Sequence, residues 1–107
     1  MSFDPDKTFA ALIQSGDAWA DAEAAAQLLE ETRKTVLAKL MSESQATTVG
    51  AREMLALANQ EYIDFVAGMV SARKAANKAL VRYKSAGVLA ELRRSQESTR
   101  RAEMGMR

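Results

Sequence analysis

Residues 55–90 read LALANQEYIDFVAGMVSARKAANKALVRYKSAGVLA, and within them Leu55, Ala58, Tyr62, Phe65, Met69, Ala72, Ala76, Ala79, Tyr83, Ala86 and Ala90 follow one another at alternating spacings of three and four. That alternation places every one of these side chains on one side of a helix, the pattern of a coiled-coil seam. No proline occurs after Pro5. One uninterrupted helix over about 49–104 is therefore predicted, about 56 residues and about 84 Å long.

Upstream, Trp19, Ala22, Ala26, Leu29, Arg33, Val36 and Leu40 repeat the same spacing, with Arg33 the one charged member. This predicts a second amphipathic helix over about 17–42, about 39 Å long. Asp17 is its expected cap, and Asp21 and Glu23 fall early, where the helix dipole favours negative charge. The intervening residues 42–50, SESQATTVG, hold hydroxyls, a β-branched cluster and a glycine, and read as the turn. Asp4-Pro5 is a helix start and Ser15-Gly16 a helix stop, so a short first helix is expected over 5–14, burying Phe9, Leu12 and Ile13. The expected architecture is all-α and a single domain over 1–107. It comprises a short N-terminal helix followed by an antiparallel hairpin whose second arm is very long, packed as in a coiled coil.

The unequal arms carry the functional reading. The stretch around 76–90 outruns the helices available to cover it, and its alanines admit close approach of another backbone. The seam Ala72, Ala76, Ala79, Tyr83, Ala86 and Ala90 is thus the expected site of self-association, into a dimer or larger assembly. Gly68 and Gly87 lie inside the long helix, each costing up to about 1 kcal/mol relative to alanine. They mark a bend or tight helix crossing, or a hinge that re-aims the C-terminal segment.

The net charge of +1 conceals an asymmetry. Residues 1–72 carry five Lys/Arg against eleven Asp/Glu; residues 73–107 carry ten against three. Lys74, Lys78, Arg82, Arg93, Arg100 and Arg107 project within about 100° of arc on a helix. Arg93-Arg94 and Arg100-Arg101 repeat at a seven-residue interval, so Arg94 and Arg101 share a neighbouring face near the continuation of the apolar seam. Such a basic end fits an acidic protein surface or the phosphates of a nucleic acid. Glu91, Glu97 and Glu103 interrupt it and offer helix-surface ion pairs, and only Tyr83 supplies a nearby ring for base stacking.

Several chemistries find no support. The chain has no Cys and no His, which removes disulfides, thiolate metal sites and the usual neutral-pH general base. Asp17, Asp21, Glu23 and Glu30-Glu31 lie on helix surfaces without a coordinating loop, so no metal is expected. The glycines stand too far apart for a phosphate loop. Trp19, Tyr62, Phe65 and Tyr83 occupy seam positions and read as core, and Arg33 as a register-setting residue with Glu53, Glu61 or Asp64 as partner. No catalytic residue and no cofactor are expected. The longest apolar runs, Met54–Ala58 and Phe65–Val70, are far below the roughly 20 residues that span a bilayer. Asp4 and Asp6 stand where a signal peptide would be basic, so a cytoplasmic setting is expected.

Gln60-Glu61-Tyr62, Tyr83, Glu91-Leu92-Arg93-Arg94-Ser95 and Thr99-Arg100-Arg101-Ala102-Glu103-Met104 resemble a pattern in small helical proteins of tailed bacteriophages. The resemblance covers about the last 45 residues. It implies a phage origin and action in the host cytoplasm, and names no catalytic residue. Secreted WXG-type hairpins share the length, but Trp19 is followed by Ala20-Asp21 and stands outside the hairpin turn. The expected role is a non-enzymatic, oligomeric adaptor whose basic end meets an acidic partner. The alternatives are a nucleic-acid-binding accessory of phage replication or recombination, and an inhibitor of a host protein.

Overall fold

The computed structural model describes the backbone of residues 5–105 and the side chains of residues 7–105. Three helices follow in order, α1 (Pro5–Glu43), α2 (Val49–Ala58) and α3 (Gln60–Gly105). The all-α class and the antiparallel hairpin with a long C-terminal helix stand as the sequence predicts. Two boundaries do not. The expected Asp4 cap lies outside the described residues.

The separate short helix over 5–14 does not exist, because α1 runs through Ser15-Gly16 without a break. No described glycine has a positive φ, so Gly16 terminates nothing. The Ser15 hydroxyl donates to the Leu12 carbonyl at 3.0 Å and stays compatible with the helix. Asp17, the expected cap, is exposed mid-helix. Of the three side chains expected to be buried, Phe9 and Ile13 are 61% and 64% exposed and only Leu12 turns inward.

The second correction is a break at Asn59 between α2 and α3. Asn59 adopts an extended backbone (φ −68°, ψ 135°), and its side-chain oxygen accepts the Glu61 N–H at 2.8 Å. An orphan donor of the new helix is thereby satisfied, as an N-cap does. Leaving the helical path for one residue shifts the register, so Leu55 and Ala58 turn outward and Ala56 takes the buried place.

The chain divides into two units, one of residues 22–76 and one of residues 1–21 with 77–107. In the unit of residues 22–76, residues 44–48 form the turn. Thr48 caps α2 by accepting the Ala51 N–H at 3.1 Å, and the Arg52 Nε donates to the Ala46 carbonyl at 2.7 Å. Lys39 meets Glu61, and Glu23 and Glu30 meet Arg73, so the two chain segments run antiparallel. Ala26, Leu40, Ala56 and Ala76 form its buried core.

In the other unit, Leu12 lies beside Gly87, while Gly16 and Trp19 pack against Tyr83, again antiparallel. Trp19 and Tyr83 stack with centroids 5.7 Å apart and planes 13° from parallel, a geometry worth about 1 kcal/mol beyond area burial. A Cβ on Gly16 would stand 3.1 Å from Tyr83 Cε1. The glycine makes room for the ring.

Candidate functional site

Inward-facing positions of α3 recur at 62, 65, 69, 72, 76, 79, 83, 86, 90, 93 and 97, the heptad spacing extended beyond Ala90 to Arg93 and Glu97. Ala76 and Ala79 are 1% and 7% exposed, and Ala72, Tyr83, Ala86 and Ala90 are half-buried. The seam assigned to self-association is therefore largely covered within the chain, although Tyr83 and Ala90 also line an open groove. Because α1 does not stop at Gly16, its first turns supply the cover that a shorter helix would have lacked in the unit of residues 1–21 and 77–107.

Arg33 is not the register-setting residue. It is exposed and takes part in none of the ion pairs among the described residues. That position falls to Arg73, half-buried, whose guanidinium donates to Glu23 Oε2 and to Glu30 Oε1, each at 2.6 Å. The hydrogen bond from Arg73 holds the Glu30 carboxyl below its ordinary 4.5, against a smaller opposing effect of burial. The two glutamates also raise the guanidinium further above its already high value. The acidic residues considered for a metal thus include two that neutralise Arg73. No group of three or more potential ligands converges among the described residues.

The basic residues do not form one uniform stripe. Lys74 is exposed in the unit of residues 22–76. In the other unit Lys78, Arg82, Arg100 and Arg101 are exposed with no ion pair among the described residues. Arg93 turns inward at a seam position. Arg94 is exposed and bound to Glu91 at 2.6 Å. Arg107 lies outside the described residues. Lys78, Arg82 and Arg100 keep to one side of α3 at helical spacing, while Arg94 and Arg101, seven apart, keep to another.

A feature the sequence reading missed lies on the flank of the same unit. Phe9 and Leu12 of α1 and Tyr83, Lys84, Gly87, Val88, Ala90, Glu91 and Arg94 of α3 line an open, mainly apolar groove of about 650 Å³. Gly87 was its one visible signal. A Cβ there would meet only Leu12 Cδ1, at 3.9 Å, which is ordinary contact. Nothing inside the unit demands glycine at that place.

Among the described residues the large apolar side chains divide about evenly between exposed and partly covered positions. The buried residues are Ala26, Leu40, Ala56, Ala76 and Ala79, and no large side chain among the described residues is fully buried. Phe9, Ile13, Leu28, Met54, Val70, Val81 and Val88 are each about 60% exposed or more. No described helix is long and apolar enough to cross a membrane. No protein family, characterised protein or solved structure matches the chain.

Proposed function

We propose that this protein is a non-catalytic, self-associating helical adaptor that joins a second copy of itself to an acidic partner, in a cytoplasmic setting. The observation that carries the reading is the mismatch between core and surface. Paired helices whose buried residues are four alanines and a leucine retain little of the roughly 1.5–3 kcal/mol available from burying each large apolar side chain. Many of those side chains stand exposed instead, and exposed apolar surface gathered in one place marks association. The Ala-rich seam holds each unit together from within, so the surface left for a second copy is the outer one. Sedimentation equilibrium of the full chain at micromolar and near-millimolar concentration tests this. A species heavier than 11.7 kDa is expected, and a monomer throughout would overturn the reading.

Nucleic acid as the acidic partner is favoured by one specific observation, the exposed cations Lys78, Arg82, Arg100 and Arg101 along α3, which join no ion pair among the described residues. Their replacement by alanine leaves the inward Arg93 in place. If they meet phosphates, affinity for single- or double-stranded DNA falls steeply with salt, and the log–log slope flattens in the variant by about 3 to 4. An affinity unchanged by salt and by the substitutions assigns the cations to a protein partner.

A further inference from the structure

We infer that the groove over Gly87 is the self-association site, filled by the same groove of a second copy with the two α3 helices crossing antiparallel about a two-fold axis between Gly87 and Val88. This rests on the self-associating reading above and adds to it the surface and its geometry. Glycine inside a helix is disfavoured relative to alanine, and nothing in its own unit requires it at 87. Unlike Gly68, it lies in the groove, where close approach of another backbone would use it.

The surface is complementary to itself. Around an axis between 87 and 88, each residue of α3 opposes the residue equally far on the other side. Val88, 69% exposed, lies level with the partner's Gly87 and beside the partner's Val88 on one flank of the axis, while the two Gly87 backbones approach on the other. Lys84 and Glu91, seven apart on one face and both lining the groove, then oppose each other twice, Lys84 to the partner's Glu91 and Glu91 to the partner's Lys84. Like charges do not meet at the crossing, because Arg82 lies on another flank and Arg93 turns inward. The Glu91–Arg94 pair is no obstacle, since both side chains are about 70% exposed and such pairs are weak.

The available area is also of the right order. Phe9, Ile13, Val81 and Val88 are each 61–69% exposed. Ile13 follows Phe9 by one helical turn and Val81 precedes Val88 by two, which puts them on the groove's side of their helices. Together they offer roughly 400 Å² per copy, about half of the ~800 Å² each partner contributes to a standard interface. The stems of Lys84, Glu91 and Arg94 extend it.

Charge exchange tests the axis without touching the core. Lys84→Glu and Glu91→Lys, made singly, each turn two attractions into two repulsions and are expected to weaken dimerisation at least tenfold, with helicity by circular dichroism retained. The double exchange Lys84→Glu/Glu91→Lys restores it. Because the chain has no cysteine, Val88→Cys provides the only thiol and is expected to give a covalent dimer on oxidation, where Gln27→Cys does not. If the wild type is a dimer that neither single exchange weakens, this surface is wrong while the self-associating reading stands. If the wild type is a monomer, both fall.

Discussion

The two units use the same heptad spacing and hold it by different means. In residues 22–76 a fixed guanidinium bridges two carboxylates across the helix pair, and the turn and the break are each closed by a side-chain cap. In residues 1–21 with 77–107 the cross-helix contacts include a ring stack and a glycine notch beside an open groove. Ion pairs and caps fix register where the chain reverses. The other unit carries the ring stack and is left open on one flank, where the proposed association would occur.

The sharpest way to break that contrast is Trp19→Ala. Removing one half of the Trp19–Tyr83 stack is expected to cost about 2–3 kcal/mol. Hydrogen exchange should show amides of 7–20 and 78–95 losing protection while those of 26–40 keep theirs. Uniform loss across both sets would mean that the two units do not hold their helices separately.

Asn59→Ala addresses the capped unit, with an expected loss of about 1 kcal/mol from the freed Glu61 N–H, read by denaturant midpoint. Preserved stability would show that α2 and α3 gain from fusing as much as the cap supplies.

Glycine replacements compare the units at finer scale. Gly68→Ala, with nothing within 4 Å of the new Cβ, is expected to stabilise by up to about 1 kcal/mol. Gly16→Ala carries the same helical benefit but drives a Cβ to 3.1 Å from Tyr83 Cε1, so it should give no gain. Equal thermal shifts in the two variants would remove the notch.

The smallest effect concerns Arg73, whose partners are partly exposed and therefore screened. With Glu30 held below 4.5, its pairing contributes fully above that pH and is lost as the pH falls through the lowered value. In Arg73→Gln, an NMR titration should return Glu30 to about 4.5, and the acid limb of stability should move with it.

Much of the fold was legible because heptad spacing is a local property. The seam from Trp19 to Leu40 with the exception of Arg33, the seam from Tyr62 to Ala90, and the turn after Glu43 lie where periodicity and turn chemistry place them. Two boundaries were misread for a shared reason, that a residue's local preference has more than one structural use. Gly16 can end a helix or admit a ring, and Asn59 can sit in a helix or cap one. Arg33 stood on the seam and looked decisive, whereas Arg73, beside the seam at the position after Ala72, makes the contact. Spacing along one helix does not reveal which charge lies opposite.

By itself the sequence determined the helical class, the inward face of each long helix and the concentration of positive charge after residue 72, since all three follow from neighbours a few residues apart on the chain. Only the tertiary structure decided that the alanine seam is largely covered within the chain, that Arg73 bridges Glu23 and Glu30 and that a groove opens over Gly87. Each of those depends on which residue of α1 meets which residue of α3, and that pairing is set by packing over many turns at once.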